Sequence, residues 1–320
     1  MPELAPLSVS TALSSWHTSW ITDVLVLLAA AGYLGAARHR DWRHRHTAAF
    51  FGGLAVLLFS VHSFVDIYAH ELFAMHMVQH LLLIMVVPAL LVLGRPITLL
   101  TGGTDRVAKS GLAVLRSAPA RLATFPGVGL ALYAMVLVLT HLTGFMTLMF
   151  QRVWAHDLEI VLYVSSGYLF LLPSMGVEPI QRWLPYPLRV FLLMIGMTVD
   201  TVVGVVLMMQ AQNPFAPFNG LQRGWGPAPL TDIHTGGAIM WVFGDLLMLA
   251  LVVAVIAAWM NDTEHQNDTG AWLESARRSA FAANNGGVEL NADTDLDSDE
   301  AALDAYNAML AGLRSQRQRR

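Results

Sequence analysis

Apolar positions along the chain gather into seven long runs, near Trp20–Ala37, Thr47–Ala69, Glu71–Leu93, Phe125–Gly144, His156–Met175, Tyr186–Gln210 and Thr231–Met260. Each run is close to the roughly 20 residues that an α-helix needs to cross the hydrocarbon core of a bilayer. The pattern predicts an all-α polytopic membrane protein with seven transmembrane helices. It divides the chain into an N-terminal segment over 1–19, a transmembrane domain over 20–260 and a polar tail over 261–320. In the tail, Leu303, Tyr306, Leu310 and Leu313 recur at helical spacing behind Asp299, which can act as N-cap. A short amphipathic helix is therefore expected near 299–314. With the arginines that follow, it suits an anionic leaflet surface or a docking peptide.

Composition agrees with the run pattern. The 320 residues are 55% hydrophobic and 13% charged, too few charges for the surface of a soluble domain of this length. The distribution of charge matters more than the net value of −4. Of the 19 Lys and Arg residues, all but Arg152 and Arg223 fall in the first, third and fifth loops or in the C-terminal tail. Cytoplasmic loops carry the excess of basic residues, so the N-terminus is expected outside and the C-terminus in the cytoplasm. The start of the chain has no basic n-region, and the first span is expected to remain in the mature protein. Cys is absent, which excludes disulfides, Fe–S clusters and thiolate metal sites. No zinc-finger, P-loop or dinucleotide fingerprint occurs, and no nucleic-acid partner is expected.

The polar residues inside the runs carry the candidate chemistry. The second and third runs are joined by almost no loop and form an antiparallel hairpin turning near Glu71. His62, Asp66 and His70 share one face of the second run, and His76 and His80 share one face of the third. Counted from the turn, Asp66 and His76 lie roughly 7 Å deep, and His62 and His80 roughly 13 Å deep. His141 closes the fourth run, His156 and Glu159 open the fifth, and Asp232 and His234 open the seventh. Every intramembrane histidine thus falls in the outer half. Asp200 lies on a stripe with Gly196 and Gly204, where glycines permit close helix approach. Apart from Arg189, at the very start of the sixth run and counted with the fifth loop, no Lys or Arg lies within a run. Deeper in the runs the only counter-charges for these carboxylates are therefore protonated histidine or a bound metal.

Imidazole, thioether and carboxylate together suit copper, and the chain has 12 His and 16 Met. Met77 and other methionines near the outer face, including Met75, Met146, Met208 and Met209, would favour Cu(I). Bis-imidazole haem ligation, with His62 paired to a histidine on another span, is a rival reading. A proton or ion pathway built on the same Asp/His chain is a third. Periodicity does not separate them. A metallohydrolase His-Glu-x-x-His motif is absent.

The block Ser63-Phe64-Val65-Asp66-Ile67-Tyr68 through His76-Met77-Val78-Gln79-His80, then Pro88 and Leu93-Gly94-Arg95-Pro96, resembles the CtaG family of caa3-type cytochrome c oxidase assembly proteins. Thr140-His141, His156 with Glu159, Asp200, and Asp232 through Trp241 are similar to the same pattern, over roughly Thr47 to Met260. The resemblance implies a multi-pass protein of the bacterial plasma membrane that is not an enzyme. It would hold copper at the outer side, act as a metallochaperone, and have a subunit of a haem–copper terminal oxidase and membrane lipid as partners. On this basis His62, Asp66, His76, His80, His141 and His156 are candidate ligands. Glu159, Asp200, Asp232, His234 and Met77 are candidate ligands or supports.

Overall fold

The computed structural model describes residues 4–180, 184–219, 224–262, 275, 277–282 and 303–311, and every regular element among them is a helix. Two units are present, Met1–Val255 and Ile256–Arg320. In the second, residues 303–311 are helical, and the other residues of the helix expected near 299–314 lie outside the described residues.

The N-terminal segment is largely exposed but is held to the bundle by hydrogen bonds, although its sequence has no long apolar run. Its helix α1 (Val9–Ser14) opens on a capping box between Ser8 and Thr11. The segment is fastened by Tyr68 Oη donating to the Ala5 carbonyl and by the His17 N–H donating to the His62 carbonyl. The helix α2 (Trp20–Ala37) is apolar on all sides and leaves Leu25, Leu27 and Leu28 exposed, as a lipid-facing span does. At its far end Tyr33 stacks on Phe50 at 4.0 Å and donates to the Gly94 carbonyl at 2.7 Å.

The second apolar run is two helices, not one. The helix α3 (His44–His62) begins on His44, Arg45 and His46 and stops at Ser63, whose extended backbone and side chain start α4 (Phe64–Ala69). The third run continues as α5 (Phe73–Leu81), a π-helical turn (Leu82–Val86) and α6 (Val87–Leu93). Pro88 explains the turn: it has no N–H for the Ile84 carbonyl four residues back, and its ring crowds that oxygen. Gly167 fits the widened wall, since a Cβ there would stand 2.0 Å from Ile84 O. Arg95, at φ 52°, turns the chain into α7 (Pro96–Thr101). Glu178 caps that helix by accepting from the N–H groups of Ile97 and Thr98 at 2.9 and 2.7 Å.

Two short helices, α8 (Arg106–Arg116) and α9 (Ala118–Ala123), lead to α10 (Pro126–Leu142) and α11 (Phe145–Gln151). The last pair is bent by 73° at the break, so Phe145–Gln151 folds over the histidine-bearing end instead of prolonging α10. The remaining helices are α12 (Val153–Met175), α13 (Tyr186–Met208), the short α14 (Ala216–Asn219) and α15 (Pro229–Met260). A Cβ on Gly204 would meet Gly237 O at 2.8 Å, so α13 and α15 cross in backbone contact, the close approach expected of the small-residue stripe. Five of the described helical runs are long and apolar enough to cross a membrane, or six with the bent α10–α11 pair counted as one span. The seventh expected span is the interrupted α3–α4 stretch.

Candidate metal centre

The helix α5 has no side-chain cap of its own, because Leu72 occupies its N-cap position. Asp232 of α15 supplies one from 159 residues away, accepting from Phe73 N–H at 2.8 Å and from Ala74 N–H at 3.1 Å. A carboxylate there satisfies two orphan donors and complements the helix dipole. The cap fixes the start of α5, and the 3.6-residue period then stacks His76 over His80 with ring centroids 4.0 Å apart.

Glu159, nearly two turns into α12, meets this pair. Its Oε1 lies 3.4 Å from His80 Nε2 and 3.9 Å from His76 Nε2. One donor atom from each of the three residues falls within 4.8 Å of the other two, and all three residues are buried. These same atoms, His76 Nε2, His80 Nε2 and Glu159 Oε1, lack a hydrogen-bond partner. An orphaned buried polar atom costs on the order of 1–3 kcal/mol. Three aimed at one point describe a set of cation donors. Two imidazoles and a carboxylate form such a set for Zn²⁺ or Cu(II).

The partners behind His80 fix which nitrogen it offers. His141 Nδ1 lies 2.9 Å from the Leu137 carbonyl, which only accepts, so Nδ1 carries the proton. His141 Nε2 then accepts from His80 Nδ1–H at 3.1 Å. The neutral His80 ring is left with its lone pair on Nε2, facing Glu159. A second nitrogen anchored in this way is the usual support of a metal-binding histidine. Tyr163 walls the site with its ring centroid 4.2 Å from that of His80, and its hydroxyl bonds Thr140 Oγ1 at 2.6 Å. On the other side His141 borders a cavity of about 500 Å³, also lined by Thr143, Gln210 and Phe215.

A second layer surrounds Asp66. Gln79, on α5 between the two histidines, donates to Asp66 Oδ1 at 2.6 Å and to the Ser60 carbonyl at 2.9 Å. His156 Nε2 lies 3.5 Å from Asp66 Oδ1, and His17 Nε2 lies 3.4 Å from Oδ2. His17 stacks on His62, whose Nε2 faces Asp23 at 3.4 Å. His70 bonds the Asp66 carbonyl through Nδ1 and packs 5.1 Å from His156.

The structure therefore distributes the expected ligands over several positions. His76, His80 and Glu159 come together. His141 stands behind His80, while His62, Asp66 and His156 belong to the second layer. Asp232 caps α5, and His234 Nε2 bonds the Gln210 carbonyl at 2.9 Å. Asp200 accepts from Tyr133 Oη at 2.8 Å on each oxygen. Met77 is fully buried, with its Cγ 3.0 Å from a Cβ built on Gly236, and its sulfur is not part of the three-donor group. Four residues at the site have no role in the sequence reading: His17, Gln79, Thr140 and Tyr163. For Tyr163 a signal existed, since it follows Glu159 by four residues on one helix face. His17 precedes the first apolar run, and no periodicity marks it.

The family model of the cytochrome c oxidase caa3 assembly factor (Caa3_CtaG) matches residues 9–262, and the chain belongs to that family. Uncharacterized proteins of Mycobacterium bovis and Mycobacterium tuberculosis are each 29% identical over 322 residues, covering 96% of this chain. One from Mycobacterium leprae is 26% identical over 324 residues. The chain spans 46% of the length of each, about half of the curated relatives it matches. No solved structure matches.

Proposed function

We propose that this chain is a seven-span, non-catalytic membrane factor that holds copper for assembly of a haem–copper cytochrome c oxidase. The copper is cargo, carried by His76, His80 and Glu159 at the outer side of the bacterial plasma membrane. The observation that carries the reading is the convergence of three buried, partnerless donor atoms within 4.8 Å, on two helices whose other contacts hold them in place. Family membership supplies the oxidase as the partner system. The donors are two nitrogens and an oxygen, a harder set than the His/Met combination expected from the sequence, and they favour Cu(II) over Cu(I). A chaperone site benefits from this incompleteness, because three donors leave a position open for a recipient ligand.

The haem reading is disfavoured by the same geometry. Imidazoles whose centroids are 4.0 Å apart leave no room for a macrocycle between them, and His62 Nε2 faces a carboxylate.

The test is copper content of the purified full chain before and after His76→Ala/His80→Ala. The double variant is expected to lose one equivalent and to yield membranes deficient in oxidase activity. Unchanged copper content overturns the assignment.

A further inference from the structure

Exposure falls in steps from the surface to the buried donors. The side chains of His17 and Asp23 are 41% and 38% exposed, those of His156, Asp66 and His62 14%, 8% and 8%, and those of Glu159 and His76 3% and 1%. Each step is filled by an imidazole or a carboxylate. Donors about 2.1 Å from one ion at tetrahedral angles stand roughly 3.4 Å apart. The pairs His17–Asp66, His156–Asp66 and His62–Asp23 are separated by 3.4, 3.5 and 3.4 Å, matching the 3.4 Å between His80 and Glu159 in the buried group. These distances are long for charge-assisted hydrogen bonds, which run about 2.7–2.9 Å. Moreover, His62 Nε2 is buried and has no hydrogen-bond partner.

We propose a second, outer metal site centred on Asp66, with His17 and His156 as nitrogen donors and His62–Asp23 at its lip, which takes a late first-row divalent cation from outside before the buried group receives it. The proposal rests on the copper-handling reading above. Asp66 presents Oδ2 to His17 and Oδ1 to His156. These three donors do not form a mutually close group in the way the buried donors do, so the outer site closes as the cation is bound. The two sites share one helix, α12. His156 and Glu159 are three residues apart on α12, an axial step of about 4.5 Å. Gln79 ties Asp66 to the helix that bears His76 and His80. Transfer needs no change of oxidation state: a nitrogen or oxygen of the inner group joins the cation as His17 leaves it. The N-terminal segment then has a defined task, because its backbone bond from His17 to His62 holds the outermost donor over the cluster.

The probe is Cu(II) alone, added to the full chain in lipid nanodiscs, with bound equivalents measured by equilibrium dialysis and environments separated by electron paramagnetic resonance. Wild type is expected to bind two equivalents with distinct spectra. His17→Ala, which keeps the backbone bond, and Asp66→Asn should each lose the outer signal and retain the inner one. His76→Ala/His80→Ala should do the reverse. If Asp66→Asn fails to fold, His17→Ala decides alone. Two equivalents retained in His17→Ala overturn the outer site. A single wild-type equivalent that disappears in His76→Ala/His80→Ala overturns it as well and leaves the buried site standing. A single equivalent that survives the double variant and disappears in His17→Ala overturns the buried site instead.

Discussion

His80 is held through one ring nitrogen, the one that faces away from the site, and its value as a donor at the other depends on that bond. The relay from His80 Nδ1–H to His141 Nε2, and from His141 Nδ1–H to the Leu137 carbonyl, ends on an atom that can only accept. The tautomer of both rings is thereby set, and His80 Nε2 is held ready before any cation arrives. His141 is a positioning residue. His141→Ala is expected to weaken copper affinity roughly 10–100-fold without removing the site, as loss of such a support commonly does. His141→Gln, whose amide oxygen can accept from His80, should recover part of the loss. Competition titration against a chelator measures both, and equal affinity in wild type and His141→Ala would remove the relay from the account. Sequence spacing puts His76, His80 and His141 in the outer half, and that shared side together with the family resemblance makes all three candidate ligands. Ring orientation separates them, and it depends on a carbonyl four residues earlier in the same helix, which no residue type announces.

At the scale of elements, the site depends on how closely α12 approaches the α5–α6 region. Gly167 is in contact with the π-helical turn, where a Cβ would come within 2.0 Å of Ile84 O and 2.9 Å of the Pro88 ring. The first obstacle is backbone and cannot rotate away. Gly167→Ala should therefore separate α12 from α5 and carry Glu159 away from the two histidines, costing about 1–3 kcal/mol as overpacking does. The expected result is a lower unfolding temperature in detergent together with weaker copper binding; an unchanged melting curve would show that the contact yields. Asp232→Ala acts on the other end of α5, where losing a helix N-terminal acceptor costs about 1 kcal/mol. Asp232→Asn, which keeps one acceptor oxygen, should fall between that variant and wild type in the same measurement. The helices themselves were largely legible, because long apolar runs report them directly. The breaks were less so. Ser63 divides a run that reads as continuous, and the 73° bend before Phe145 turns an apolar segment back over the site. Both follow from local backbone choices that hydropathy averages away. For Asp232 the sequence leaves ligand and supporting roles open, because an acid at a span terminus suits either and its partner N–H groups are 158 and 159 residues distant.

For the whole molecule, contacts separate two ends with different chemistry. One gathers His17, His62, Asp66, His76, His80, His141, His156 and Glu159. At the other, Tyr33 and His46 bond the Gly94 and Leu93 carbonyls, Arg40 pairs with Asp105, and Glu178 caps α7. The first and third loops, with their basic residues, lie at this second end. The copper reading requires the histidine end to face outward, since a cation captured through the exposed His17 must come from that compartment. The absence of Cys makes this directly measurable, because any thiol introduced is the only one in the chain. Thr18, exposed next to His17, and Thr104, exposed in the basic loop before α8, are suitable positions. In intact cells a membrane-impermeant maleimide should label Thr18→Cys and spare Thr104→Cys, and both should react once the membrane is opened. The reverse pattern would put the donors on the cytoplasmic side, where delivery to an outward-facing copper centre through this site is geometrically excluded. Orientation is thus a condition of the mechanism, and His17 connects the two: the residue that marks the accessible end is also the first donor an incoming cation meets.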